Sequence, residues 1–381
     1  MSIAPSVQYS ITIRLEAPAK PTAVSELTSL IERLGGSVTA VDVNHSDAER
    51  VRVDLTCACK NSEHAKELVE NLKNLEGVVV GRVSDRTFLA HLGGKLTIES
   101  KLPIRNRDDL SLIYTPGVAR VCEAIAQEPA DARRLTIKRN TIAVVSDGSA
   151  VLGLGNIGPL AALPVMEGKA ALFKRFANID AFPICLDTQD TDEIVKTVKA
   201  IAPVFAGINL EDISAPRCFE IEERLRAELD IPVFHDDQHG TAIVCLAALT
   251  NALKVVGKNL SDVRLVLSGA GAAGTAVLKL MFAAGLKHAM VIDQKGIICE
   301  GRADIQPDTN LAWIASATNQ EHKQGTLKQA LEGADVFIGV SAGNILEAED
   351  IAKMAKDSIV FALANPTPEI DPAQAAKHAA V

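Results

Sequence analysis

VRLVLSGAGAAGTAVLKLMFAAG, residues 263–285, decides the architecture of the C-terminal part of the chain. Val263–Leu267 is short and apolar, as a buried strand requires. Gly269, Gly271 and Gly274 follow in a G-x-G-x-x-G spacing, and Ala273–Ala284 is a helical run. Glycines at those positions permit a tight turn and close approach of a pyrophosphate. The helix N-terminus then offers N–H donors to it, with Ala272 and Ala273 completing the cradle. Ala289–Ile292 reads as the next strand, and Asp293 ends it about twenty residues beyond the fingerprint. An acid there accepts a hydrogen bond from a ribose 2′-OH and repels a 2′-phosphate, which favours NAD. Lys295, two residues on, opposes that preference and keeps NADP possible.

Working outward from this unit, residues 110–255 show the same alternation of strands and helices. Thr141–Ser146, Ala181–Leu186, Val204–Asn209 and Ile231–Phe234 read as short buried strands punctuated by Gly and Pro. This pattern predicts a largely parallel sheet. Two acid pairs stand at strand ends, Glu211-Asp212 and Asp236-Asp237. Ligands of parallel sheets bind at the carboxyl ends of strands. If the two strands are neighbours, three or four carboxylates converge, and hard oxygen donors suit Mg²⁺ or Mn²⁺. The competing reading is a pair of helix N-caps. His235 and His239 flank the second pair but are weak candidates for an all-oxygen site. Lys169, in MEGKAALF, is followed by apolar residues. A dry pocket there would shift its amine towards the neutral, basic form. Otherwise it is a solvated helix-surface lysine. Tyr114, one of two tyrosines, precedes Pro116 and Gly117, whose turn can present a phenol at a site mouth.

Residues 8–90 form a smaller unit. Ile11, Ile13 and Leu15 alternate with Thr12 and Arg14, and Val24, Leu27, Leu30, Ile31 and Leu34 recur at helical spacing before Gly35-Gly36. Strands near 38–43 and 51–55, a helix over 65–75 and a strand at 78–80 complete a βαββαβ order, the ferredoxin-like arrangement. LGGKL at 92–96 reads as a linker. A net charge of −9 and 3% aromatic residues argue against nucleic acid and anionic membranes as partners. No stretch reads as a membrane span and the N-terminus lacks a signal-peptide pattern, so a cytoplasmic location is expected. The seven scattered cysteines, with Cys57 and Cys59 the only close pair, predict reduced and mostly packed thiols.

In order along the chain stand YTPGVA at 114–119, MEGKA at 166–170, NLED at 209–212, HDDQHGTA at 235–242, GAGAAG at 269–274 and ANPTPE at 364–369. With SDGSAVLGLGNIGPLAALPVMEGKAALFK at 146–174, this series resembles the malic enzyme family, bacterial type. The first 90 residues resemble an ACT domain, a regulatory module that often pairs with itself and binds small metabolites. Its loop after the first strand here reads APAKPTAV, without the usual glycine. The family resemblance implies oxidative decarboxylation of malate to pyruvate and carbon dioxide, with NAD or NADP and Mg²⁺ or Mn²⁺. It implies Lys169 as general base and Tyr114 as general acid. Glu211, Asp212 and Asp237 would be metal ligands, Asp236 a neighbouring catalytic acid, and Asn365 a contact to substrate or nicotinamide.

The expected organisation is an ACT-like domain over 1–92, a catalytic and metal domain over 93–255, and a Rossmann-type NAD(P) domain over 256–381. A homodimer or larger even assembly is expected, with a metabolite effector at the ACT-like domain. Two departures from the family pattern stand out. Animal-type relatives carry an Arg before LGLG that grips a substrate carboxylate, whereas Ser149-Ala150 stand here. The family also continues into a Gly/Asn-rich segment beyond the position of Val381, so a truncated chain is expected. Two other readings share part of these features. One is a truncated, non-catalytic nucleotide- or metabolite-binding protein; the other is an ACT-linked amino-acid dehydrogenase that needs no metal.

Overall fold

The computed structural model describes residues 5–381 apart from Leu152 and Asp308. Leu152 belongs to the family stretch quoted above and so lies outside the described residues. The chain divides into two units, Met1–Thr97 and Ile98–Val381.

The first unit is a four-stranded antiparallel sheet, β1 (Ser6–Pro18), β2 (Ser37–Ser46), β3 (Arg50–Cys59) and β4 (Val79–Asp85), in the order β2-β3-β1-β4. Period-2 alternation creates its two faces. Ile11, Ile13, Leu15 and Ala17 pack with Val51, Val53, Leu55 and Cys57 against Leu27, Ile31, Leu68 and Leu72. Those four leucines and isoleucines come from the helices Ala23–Arg33 and Ser62–Lys73. On the other face Arg14 forks onto Asp54 at 2.8 and 2.7 Å, and the Thr12 and Thr56 hydroxyls meet at 2.9 Å. This is the βαββαβ fold expected from the sequence. Cys57 and Cys59 are buried and unbridged, as are most of the other free cysteines.

The second unit contains two further sheets. β5 (Thr141–Ser146), β6 (Asp180–Cys185), β7 (Gly207–Leu210) and β8 (Val233–His235) pair in parallel, in the order β6-β5-β7-β8. β9 (Arg264–Ser268), β10 (His288–Asp293), β11 (Gly296–Ile297), β12 (Val336–Gly339) and β13 (Ile359–Ala362) follow in the order β11-β10-β9-β12-β13, all parallel except β11. In each sheet the chain steps first to one side of its opening strand and later to the other. The strand ends between β5 and β7, and between β9 and β12, are therefore the topological switch points where such sheets bind ligands.

The two sheets are joined by the helix Asp236–Val256, which packs along the helix Ala272–Ala283 through Ala242, Cys245, Leu249 and Leu253. This helix differs from the sequence reading. It is 21 residues long, and an 18-residue window of it has mean hydropathy 1.4, the length and apolarity of a membrane span. Its apolarity serves a buried face shared with the neighbouring helix, and Ile243, Val244 and Val255 are exposed on the other side.

From Ile98 to Asn140 no residue is buried. The segment includes the helices Arg107–Ile113 and Val118–Gln127, and Ile98, Leu102, Ile104, Leu112 and Tyr114 project from it with more than half their surface exposed. Leu160 and Phe176, on the helix Gly158–Ala177, are 84% and 80% exposed.

Candidate active site

Parallel pairing places β7 beside β8, so the acids that follow them meet. Asp236 and Asp237 open the helix Asp236–Val256, where a negative charge is favoured by the helix N-terminus. One carboxylate oxygen each from Glu211, Asp212 and Asp237 lie within 4.8 Å of one another. Asp212 takes a left-handed backbone, φ 54°, which is costly for a residue with a side chain. Its N–H donates to Asp237 Oδ2 at 2.9 Å, and its carbonyl accepts from Ala150 N at 2.9 Å. The turn is thus held from both sides.

Lys169 comes into this cluster from the helix Gly158–Ala177. Its Nζ lies 3.0 Å from Glu211 Oε1 and 2.7 Å from Asp236 Oδ2, with 20% of the side chain exposed. It is therefore not a solvated surface lysine. The expected shift to a neutral amine is also corrected. Burial does disfavour the ammonium, but the charges of Glu211 and Asp236 outweigh it and raise the Lys169 pKa. The carboxylates show the opposite strain. Burial, followed by repulsion from Asp237, pushes Glu211 up to about 8, although Lys169 pulls it down. Asp237 is raised as well, again chiefly by burial. One ammonium does not neutralise four clustered carboxylates, and compact oxygen donors short of positive charge fit a hard divalent cation.

The flanking histidines do other work. His239 Nε2 meets Glu222 Oε1 at 2.7 Å, and its ring lies 5.5 Å from that of Phe234. His235 is fully buried and 3.8 Å from Asp237, and burial lowers its pKa to about 4, which keeps it neutral.

The dinucleotide cradle lies at the β9/β12 switch point. Gly269 has φ 110°, and a Cβ there would sit 2.6 Å from the Val340 carbonyl oxygen. A Cβ on Gly274 would lie 1.9 Å from Gly269 O, so strand end and helix start touch backbone to backbone. A Cβ on Gly271 would meet nothing within 4 Å, which leaves open space above the N-terminus of the helix Ala272–Ala283. These three environments fit a pyrophosphate group. Ala272 and Ala273 supply the first turn of that helix.

Asp293 ends β10, but its carboxylate is not free. Arg302 Nη1 donates to Oδ1 at 2.9 Å and Nη2 donates to Oδ2, while Lys295 N also donates to Oδ1 at 2.8 Å. Arg302 Nε reaches Asp304 Oδ1 at 2.8 Å, and Lys295 Nζ pairs with Asp304 Oδ2 at 2.9 Å. Arg302 was not picked out from the sequence; only a basic residue after an acid-terminated strand hints at it.

Asn365 lies in the loop after β13, exposed, with Nδ2 donating to Leu363 O at 3.2 Å. Buried Glu369 pins that loop to the one after β12, accepting from Ser341 N at 2.8 Å and Ala364 N at 3.0 Å. Tyr114 caps the helix Arg107–Ile113 and is 67% exposed. Its phenol makes no hydrogen bond among the described residues.

A buried acid cluster with an amine at the carboxyl ends of β7 and β8, and a glycine cradle at the β9/β12 switch point, define a class: nicotinamide-dependent oxidoreductases with a Rossmann-type domain. Comparison with known proteins makes this specific. Residues 93–226 match the malic enzyme N-terminal domain, 238–380 the malic enzyme NAD binding domain, and 5–80 the ACT domain. The chain belongs to the malic enzyme family and carries an ACT domain at its N-terminal end. It is 55% identical over 372 residues to the NAD-dependent malic enzyme of Geobacillus stearothermophilus, covering 98% of this chain and 77% of that protein. The bifunctional malic/malolactic enzyme of Bacillus subtilis is 56% identical, over 74% of this chain and 68% of that one. The NADP-dependent malic enzyme of Escherichia coli is 50% identical, over 73% of this chain and 36% of its own length. Among solved structures, the NAD-dependent malic enzyme of Thermotoga maritima superposes with a TM-score of 0.75 at 51% identity, covering 78% of this chain and 79% of that chain.

Proposed function

We propose that this chain oxidatively decarboxylates malate to pyruvate and carbon dioxide with reduction of NAD(P). The observation that carries the reading is the Lys169 amine, 3.0 and 2.7 Å from Glu211 and Asp236 beside the clustered oxygens of Glu211, Asp212 and Asp237. Those three acids would hold Mg²⁺ or Mn²⁺. Gly269, Gly271, Ala272, Ala273 and Gly274 would hold the pyrophosphate, Asp293 the adenosine ribose, and Asn365 the nicotinamide end. When bound, the dication polarises the C2 oxygen and the dinucleotide accepts the C2 hydride.

The protein's own groups manage the protons. Lys169 accepts the C2 hydroxyl proton as the C2 hydride leaves. Burial favours the neutral amine that accepts this proton, while the charges of Glu211 and Asp236 oppose it. Asp236 orients the amine through its 2.7 Å contact. The electrons of the C3–C4 bond remain on C3 as carbon dioxide departs. Tyr114 delivers a proton to C3, which balances the one Lys169 removed.

NAD is the proposed cofactor in preference to NADP. A homodimer or larger even assembly is supported by the unburied segment from Ile98 to Asn140 and its apolar side chains, and by the exposed edge strand β2. We assign residues 1–92, 93–255 and 256–381 to regulatory, catalytic and nucleotide-binding roles, and the ACT domain to a small metabolite. The reading also places the protein in the cytoplasm.

The test is turnover of malate by the purified chain with NAD and Mn²⁺. Pyruvate, carbon dioxide and NADH are expected in equal amounts, and chelation of the metal should abolish all three. NADH formation without pyruvate, or turnover indifferent to chelation, refutes the reading.

A further inference from the structure

Asp212 adopts a left-handed backbone that a residue with a side chain keeps only when its surroundings impose it. The imposing structure is the loop that follows β5. Ala150 N donates to the Asp212 carbonyl at 2.9 Å, and Ser149 Oγ accepts from Ser214 N at 2.9 Å, so this loop grips the acid turn on both sides of Ile213. The same loop sets the start of the helix that carries Lys169: the Gly148 carbonyl accepts from Ile157 N at 3.1 Å and Gly158 N at 3.2 Å. A Cβ on Gly148 would fall 2.2 Å from Gly158 O, so the loop has no slack on that side.

Arg217 fixes the loop. Nη2 donates to Asp147 Oδ2 at 2.9 Å, Ser149 Oγ at 3.0 Å and Ser214 Oγ at 3.1 Å, and Nη1 donates to Gln189 O at 2.7 Å. Ser149 Oγ in turn donates to Asp147 Oδ1 at 2.5 Å. Asp147 is fully buried, so without Arg217 it would be an uncompensated carboxylate beneath the site.

We infer that Arg217 is a positioning residue for the metal-binding acids: its guanidinium clamps the Asp147–Ser149 loop, which holds the Asp212 turn in a ligating geometry. This rests on Glu211, Asp212 and Asp237 forming a cation site. Arg217 makes no hydrogen bond or ion pair to any of the three; it acts through Ser149, Ser214 and the backbone. Loss of a group that orients a metal ligand typically weakens metal binding ten- to a hundredfold. The planar fork matters, because an ammonium cannot reach Asp147, Ser149, Ser214 and Gln189 together.

The experiment measures Mn²⁺ binding to the full chain from the electron paramagnetic resonance signal of free Mn²⁺, with NAD binding and Tm alongside. Wild type binding Mn²⁺ tests the cation site itself; wild type that binds none overturns both that reading and this inference. Given a binding wild type, Arg217→Gln should raise the Mn²⁺ Kd about ten- to a hundredfold with NAD affinity unchanged, and Arg217→Lys should fall between. A purely structural role would lower Tm and leave the Mn²⁺ Kd of the folded protein alone, which overturns the inference. Should Arg217→Gln not fold, Ser149→Ala removes the shared hydroxyl and should weaken Mn²⁺ about threefold or more. Affinity within a factor of ~1.5 of wild type in that variant is the contrary result.

Discussion

Replacing Asp293 by serine should turn the cofactor preference over, and the Arg302 clamp sets the size of the change. A lone carboxylate about 4 Å from a 2′-phosphate would oppose each unit of its charge by ~4 kcal/mol at an effective dielectric near 20. Asp293 is not alone: both its oxygens accept from Arg302, whose side chain is 14% exposed. Asp293, Asp304, Arg302 and Lys295 form a group of two negative and two positive charges. Repulsion of a 2′-phosphate by the intact group is therefore ~1 kcal/mol, and the preference of the wild type for NAD is modest, roughly fivefold. In Asp293→Ser that repulsion disappears, and two N–H donors of Arg302 are released. A charge-assisted bond from a freed guanidinium to phosphate contributes ~1.5–3 kcal/mol. Together the change favours NADP by about 3 kcal/mol, a shift of roughly two orders of magnitude in the ratio of kcat/KM values. The assay compares kcat/KM for NAD and NADP at saturating malate and Mn²⁺. Arg302→Gln should move the ratio the other way, because it bares the Asp293 charge. A ratio for Asp293→Ser within a factor of ~3 of wild type, or shifted towards NAD, refutes the clamp as the selector.

Gly274→Ala should weaken NAD at least ~10-fold and cost ~1–3 kcal/mol of stability, because the new Cβ meets the Gly269 carbonyl at 1.9 Å; calorimetric titration that finds wild-type affinity contradicts it. Asp335 accepts from Arg264 N at 2.9 Å and Lys258 Nζ at 2.8 Å, and although burial opposes this, its pKa is lowered. Its contribution is therefore complete above the unfolded carboxylate pKa near ~4 and is lost as pH falls through the lower folded value. Asp335→Asn should cost ~1–3 kcal/mol at pH ~7 in urea melts and less at pH ~3; an equal cost at both is the wrong outcome. Light scattering should give a particle at least twice the 40.4 kDa chain, and a monomer would remove the role assigned to the unburied segment from Ile98 to Asn140.

What the sequence made legible was local or periodic. The alternation at Ile11, Ile13 and Leu15 placed a strand that the structure extends to Ser6–Pro18, and the glycine spacing after Leu267 placed the cradle. The two acid pairs followed from their positions at strand ends, because parallel strands deliver their carboxyl ends to one edge. Contacts set by long-range closure were not legible. Lys169 and Asp236 lie 67 residues apart in the chain, and only the assembled sheet reveals that the amine sits among carboxylates. That contact reverses the direction of the lysine shift inferred from apolar neighbours alone. Arg302 returns to Asp293 through the turn after β11, and Arg217 reaches Asp147 from 70 residues away. Neither arginine differs in local composition from a solvated one. The packed face of the helix Asp236–Val256 is hard to read from the sequence for a related reason. Its apolar residues are spread round the helix, so its burial against Ala272–Ala283 leaves no clean one-sided stripe.

The most direct test of the central claim is malate turnover by Lys169→Ala at saturating NAD and Mn²⁺, with Mn²⁺ binding measured on the same preparation. If Lys169 is the base, kcat should fall by ~10²-fold or more while Mn²⁺ still binds to Glu211, Asp212 and Asp237. Turnover at the wild-type rate by a variant that binds Mn²⁺ normally would contradict the assignment of the site.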